Sequence, residues 1–217
     1  MPARAIPPTA IFCSSVTDAP RSRSVSRVVL AGRVELNPLP ARLLADWEVE
    51  TYDNLELEIG DVEVMPLARA RTRWPDFRLC VAEAGRWLVS QGVSADLLGD
   101  ENRALMVCRG ARDHHDGEQY AGAAFFNLFV SEDVGLDLFF AATGHRIPLE
   151  RGTVVVFDTC QPHAVIRRGS TGFDESGFTP GTDWKQFFLT WELPVEDVAL
   201  ARALQVEFDL AVVPAKA

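Results

Sequence analysis

Past Arg103 the chain becomes a succession of short apolar runs rich in β-branched and aromatic residues: Leu105 to Cys108, Ala123 to Val130, Leu136 to Phe140, Thr153 to Phe157, Ala164 to Ile166 and Gln186 to Trp191. Clusters of Gly, Pro, Asp and Ser separate them. Runs this short suit strands, and no helical period fills the gaps between them. The pattern therefore predicts an antiparallel sandwich or barrel, mainly β with flanking helices, and argues against alternating β-α units.

Upstream the texture differs. Leu55, Leu57 and Ile59 alternate with Glu56 and Glu58, and Gly60-Asp61 then leads into Val62-Glu63-Val64, which predicts a hairpin with one acidic face. Pro75 followed by Phe77, Val81, Ala84 and Leu88, with Gly92 as a stop, predicts an amphipathic helix. Pro194 opens a second helix through Val198, Ala201 and Leu204, and residues 206–213 could return as a last strand. Residues 1–27, rich in Pro, Ala, Ser and Arg, carry neither period and read as a tail or loosely docked arm. The remainder, 28–217, reads as one domain: a helix and hairpin support over 28–102, a β core over 103–193 and a helical end over 194–217.

Composition excludes several functions. Lys and Arg total 21 against 31 Asp and Glu, a formal charge of −10, which disfavours a nucleic-acid binder relying on phosphate contacts. Charged residues interrupt every apolar run well short of the roughly 18 needed for a membrane-spanning helix. Cysteines 13, 80, 108 and 160 form no C-x-x-C pair and are too sparse for a disulfide framework, so reduced thiols and a cytoplasmic location are expected. The first thirty residues lack the apolar stretch of a secretory signal. G-x-G-x-x-G, G-x-x-x-x-G-K, G-x-S-x-G and H-E-x-x-H are all absent from the chain.

Chemistry must come from few residues. The histidines are His114, His115, His145 and His163. On a strand, His114 and Asp116 would share a face about 6.6 Å apart along the chain, so both could reach one ion while His115 points away. Taken alone, the pair is better accounted for by a polar surface turn. His163, following the apolar run Thr153 to Phe157, is placed to add a third ligand from a distant strand, which would leave neighbouring positions on the metal open.

Five segments follow one another along the chain: His114-His115-Asp116, Phe126-Asn127-Leu128-Phe129, Gly135-Leu136-Asp137-Leu138-Phe139, Pro148 to Phe157, and His163-Ala164-Val165. In this order they resemble a family, the iron(II)- and 2-oxoglutarate-dependent oxygenases, especially the prolyl-hydroxylase-like branch. The resemblance covers roughly residues 105 to 192. It implies a double-stranded β-helix, a jelly roll with the metal at its mouth. It also implies Fe(II) held by His114, Asp116 and His163, 2-oxoglutarate as co-substrate, dioxygen as reactant, and hydroxylation of a small-molecule, amino-acid or peptidyl substrate with release of succinate and CO2. The far carboxylate of 2-oxoglutarate then needs a cation: Lys185, one of two lysines beside nineteen arginines, is the first candidate and Arg167 the second. Asn127 or Asp113 could orient the ligands. Two departures stand out. Leu136 replaces the second Gly of the family's Gly-Gly pair, and a Gly-rich stretch over 169–183, a lid or a lengthened hairpin, separates the distal histidine from the final strand.

Other readings use the same residues. Cys160 and His163 with His114 or His115 could hold zinc. His115 and Glu118 could replace His114 and Asp116 if the register slipped by one. His145 fits a solvated turn. A cupin-like metal enzyme without 2-oxoglutarate, or a barrel serving only as a binding module, would carry the same strings.

Overall fold

The computed structural model describes residues 10–14, 20–55, 57–179 and 181–210. Their strands form two sheets and one hairpin. Strands β1 (Ala10–Ser14) and β2 (Pro20–Ser24) make the hairpin. The larger sheet runs in the order β3 (Val29–Arg33), β10 (Thr153–Asp158), β7 (Ala123–Phe129), β12 (Gln186–Pro194), β5 (Arg103–Cys108) and β4 (Val62–Met65). The smaller sheet runs β6 (Ala111–His114), β11 (His163–Arg167), β8 (Leu136–Phe140) and β9 (His145–Pro148). Every pairing is antiparallel, and successive strands alternate between sheets from β5 to β12, apart from the β8–β9 hairpin. This is the double-stranded β-helix, a jelly roll.

The apolar runs are continuous because the main strands are buried on both faces. Along β12, Phe187, Leu189, Trp191 and Leu193 point out of the barrel into a core shared with the helices. Phe188 points inward with Phe129, Leu138, Val155, Phe157 and Val165. The outer core rests on α1 (Ala41–Asp53) and α3 (Phe77–Ser90), with α5 (Val198–Leu204) closing one end. On α1 the buried residues are Leu43, Trp47 and Thr51, a spacing of four that keeps one stripe on the sheet. Trp47 meets Trp74 and Phe187 at centroid distances of 5.6 and 5.0 Å. Fully burying one such side chain contributes roughly 1.5–3 kcal/mol or more. Short helices α2 (Leu67–Arg73) and α4 (Gly117–Tyr120) complete the set.

Several expectations need correction. Residues 55 and 57–59 form no strand: Leu55 and Leu57 pack against the outer core, Ile59 against the inner one, and β4 pairs with β5 instead. Pairing with β5 makes β4 the edge strand of a six-stranded sheet, which is more stable than an isolated two-stranded hairpin. No strand follows α5 among the described residues; Phe208 makes one bridge to Arg23, and 211–217 lie outside them. Residues 20–26 are docked rather than loose. Arg23 is fully buried and bonds both carboxylate oxygens of Asp158 at 2.7 and 2.8 Å, while the Ser24 amide donates to the Glu207 carbonyl. Residues 1–9 and 15–19 of the expected arm lie outside the described residues.

The turn before β10 depends on Gly152. Its φ is +86°, and a Cβ there would strike the Val34 carbonyl, which belongs to the segment leaving β3.

Candidate metal centre

His163 begins β11 and His114 ends β6, and the two are directly paired across the smaller sheet. Asp116 lies just beyond the strand, at the residue before α4, rather than on a regular strand as expected. Its amide donates to the Thr159 carbonyl at 2.8 Å, which swings its carboxylate back toward the pair. His114 Nε2 stands 3.8 Å from Asp116 Oδ1 and His163 Nε2 3.7 Å from Oδ2. The rings sit 4.4 Å apart between centroids. Among the described residues this is the one group of three His, Cys, Asp or Glu whose ligand atoms gather within 4.8 Å.

Both imidazoles are oriented through their other nitrogen. His163 Nδ1 lies 2.9 Å from the Gln161 carbonyl and His114 Nδ1 2.6 Å from the Arg112 carbonyl. A carbonyl can only accept, so each Nδ1 carries a proton, which leaves Nε2 as the ring atom able to ligate a metal. Burial, reinforced by the neighbouring charge of His114, pushes His163 down to about 4, so its ring is neutral at pH 7. Burial raises the Asp116 carboxyl, opposed by the charges of His114 and His115. Two imidazole nitrogens and a half-buried carboxylate converging on one point are a donor set for a divalent transition metal. Donors about 2.1 Å from such an ion lie about 3 Å from one another when adjacent, so the triad closes on a metal with small side-chain adjustments.

The segment holding the triad is tied down from behind. Asp158 accepts from Arg23, from the Ser26 amide and from the Cys160 amide. Thr159 Oγ1 bonds the Tyr120 and Ala123 carbonyls. Residues 158–161 thus fix both the Asp116 amide and the carbonyl that orients His163.

The triad opens into a cavity of about 200 Å3 inside the barrel. Tyr120, Asn127 and Thr190 supply its remaining polar side chains; the rest of the wall is apolar, including Met106, Phe129, Leu138, Val165 and Phe188. Asn127 is buried, and its Oδ1 has no hydrogen-bond partner. Sequence reasoning misses Thr190 and Tyr120. Thr190 is legible in principle, since it shares the inward face of β12 with Phe188 by the two-residue period.

The two expected cations do not line this cavity. Lys185 lies outside the barrel, paired with Glu48 and, at 3.6 Å, with Asp183. It borders a separate groove with Arg109, Glu58 and Tyr52. Arg167, at the end of β11 away from His163, is exposed and stacks over Trp184 at 5.4 Å. Among the described residues of the Gly-rich stretch, 169–179 and 181–183, none lines the triad cavity. The buried Phe178 packs on Phe173, on Trp184 and against Gly110, plugging the end of the barrel remote from His163.

The other readings are not assembled. His115 and Glu118 do not join the triad, and Asp113 is exposed away from the ligand rings. Cys160 contacts Arg23 and Gly117 rather than joining the triad. His145 is exposed at the start of β9, beside Thr143. Cysteines 80, 108 and 160 are free thiols. No helix among the described residues is long and apolar enough to cross a membrane.

Among solved structures the chain is similar to prolyl hydroxylases. A prolyl 4-hydroxylase from Phytophthora capsici matches at 16% identity over 74% of this chain and 56% of its own, with a TM-score of 0.39. The viral collagen prolyl hydroxylase vCPH of Paramecium Bursaria Chlorella virus-1 matches at 12% over 77% of this chain and 90% of its own, TM-score 0.40. A full-length Neurospora crassa protein, solved in complex with alpha-KG, matches at 14% over 87% of this chain and 61% of its own, TM-score 0.26. The chain therefore spans little more than half the length of the first of these. No protein-family model matches it, and no curated protein does.

Proposed function

We propose that this protein is a mononuclear non-haem Fe(II) dioxygenase of the 2-oxo-acid-dependent kind, with His114, Asp116 and His163 as metal ligands, hydroxylating a small-molecule, amino-acid or peptidyl substrate. The observation that carries the reading is the convergence of two Nε2 atoms on the Asp116 carboxylate, with both Nδ1 atoms committed to backbone carbonyls. Three ligands on one face leave adjacent positions for a chelating keto acid and dioxygen.

Bound Fe(II) would supply the dioxygen chemistry, in which the 2-oxo acid loses CO2 and one oxygen atom enters the substrate. The chain's own part is positional. Gln161 and Arg112 hold the imidazoles in the ligating tautomer through their carbonyls, and the backbone of residue 159 holds Asp116. Phe157, 4.7 Å from His163 between ring centroids, and Phe140, 5.9 Å away, keep water from that ligand's buried side. Asn127 and Thr190 offer hydrogen bonds to whatever enters beside the metal.

2-Oxoglutarate, the co-substrate implied by the sequence resemblance, fits this site at one end only. Its keto-acid end matches the open positions, whereas its far carboxylate finds no Lys or Arg among the cavity's lining residues. That neutral wall favours one alternative, a cupin-like metal enzyme using the same triad without a 2-oxo acid.

Calorimetric titration with Fe(II) under argon, or with Co(II), tests the metal reading. One ion per chain is expected, lost in His163→Ala; wild-type protein that takes up neither ion overturns it. Dioxygen consumption by the Fe(II) protein that needs no added 2-oxo acid would favour the cupin-like alternative.

A further inference from the structure

The barrel interior beyond the triad has no positive charge among its described lining residues. On β12 the inward positions are Gln186, Phe188 and Thr190 by the two-residue alternation. Gln186 is fully buried, and its amide is already engaged: it accepts from Ser131 and donates to the Glu132 and Leu149 carbonyls. Phe188 stacks on Phe129 at 5.0 Å, and with Cys108, Leu138 and Val165 these rings close the cavity's far wall. Behind that wall sit Phe178 and Trp184, which separate the cavity from the exposed Arg167 guanidinium. Of the nearby bases, Lys185 is engaged by Glu48 outside the barrel and Arg167 lies over Trp184. Arg168 and Arg146 both pair with Asp137, whose side chain belongs to the outer face of β8.

A carboxylate pushed against such a wall loses its water and gains no partner, a cost of several kcal/mol for an ion in a low-dielectric site. An alkyl or aryl group in the same place would be favoured by burial. The cavity's polar lining consists of the triad, Asn127 with its orphan Oδ1, Thr190 and Tyr120, all uncharged apart from the triad.

We propose that the ligand filling this cavity has one anionic chelating end at the metal and an uncharged, apolar tail, so that the co-substrate is a 2-oxo monocarboxylate rather than a 2-oxo dicarboxylate. This deepens the reading above and rests on the triad binding a metal. A ligand of this class needs no cation at the far end, and the cavity's small size limits its tail to a short branched or aromatic group.

The test is anaerobic titration of the Co(II)-loaded and Fe(II)-loaded protein with 4-methyl-2-oxopentanoate, phenylpyruvate and 2-oxoglutarate. Binding is read from the metal's absorption bands and by calorimetry, independently of turnover. At least one apolar-tailed acid is expected to bind about tenfold or more tighter than 2-oxoglutarate. Phe188→Lys, which sets a cation on the far wall, is expected to reverse that order; if it does not fold, the wild-type panel decides alone. Metal-loaded protein that binds 2-oxoglutarate as tightly as the apolar acids, or binds none of the three, overturns this inference and leaves the metal site standing. Protein that takes up no metal overturns both.

Discussion

The two ends of the barrel handle charge in opposite ways. At the triad end, His163 is buried and its ring held neutral, His114 and Asp116 are half-buried, and both imidazoles are oriented by backbone carbonyls. At the far end, cations are plentiful but turned outward: Lys185 to Glu48, Arg146 and Arg168 to Asp137, Arg112 to Asp61 and Glu175. What enters the barrel there is aromatic, namely Phe129, Phe178 and Phe188. The contrast is between an end where polar side chains face the cavity, backed by the buried Arg23–Asp158 pair, and an end where apolar rings fill the interior and the cations pair away from it.

The largest break in this contrast comes from removing a ligand. His163→Ala should weaken Co(II) binding more than about 100-fold, since loss of a direct ligand exceeds the 10–100-fold typical of an outer partner. Because the ring is buried, the variant also tests whether the site can be emptied without unfolding; circular dichroism beside the titration separates the two. Next in size is Arg23→Ala, which strands the buried Asp158 carboxylate. A loss of about 3–5 kcal/mol in denaturant unfolding is expected, with much of it recovered when Asp158 is also replaced by a neutral residue of similar size. Tying residues 158–161 to the N-terminal strand would then be seen as the outer support of the metal end. An Arg23→Ala protein as stable as wild type would mean that the buried pair gives no such support.

Much of this is readable from the amino acids. All six apolar runs from Leu105 to Trp191 form strands within a few residues of the expected bounds, because strands buried on two faces leave an unbroken apolar signature. The helix from Phe77 is equally legible from its periodicity. What escapes shares a cause: its partners are distant in sequence. Strand β6, Ala-Arg-Asp-His, has an edge strand's polar composition and forms through β11. Arg23 reads as part of a solvated tail because nothing local reveals Asp158, 135 residues away. The three residues that converge can be named from their strings, but the side of the barrel faced by Lys185 cannot. It turns on Glu48 of α1, a helix with no sequence mark near Lys185.

A smaller effect tests the outward charges. The hydrogen bonds from Arg168 hold the Asp133 carboxyl below the usual carboxylate range. A carboxyl depressed in the fold contributes stability above its unfolded value near 3.9, and that contribution is lost as pH falls through the folded value. Arg168→Ala should therefore raise the pH midpoint of acid unfolding, and the gap in stability between variant and wild type should shrink as both are acidified. A gap that stayed constant from pH 7 down to about pH 2 would show the pair to be uncoupled from folding.

The smallest effect is the most discriminating for the barrel interior. Lys185 is mostly shielded, but its partners Glu48 and Asp183 are themselves substantially exposed, so the ion pair is screened and should contribute no more than about 1 kcal/mol. Since Lys185 faces the groove lined by Arg109 and Tyr52 rather than the triad cavity, Lys185→Ala should leave the affinity of the metal-loaded protein for any 2-oxo acid within about twofold of wild type. A selective loss of 2-oxoglutarate binding in this variant, with 4-methyl-2-oxopentanoate unaffected, would mean that the lysine turns inward when ligand enters. The far end would then belong to the same electrostatic unit as the triad, and the contrast between the two ends would hold only for the empty barrel.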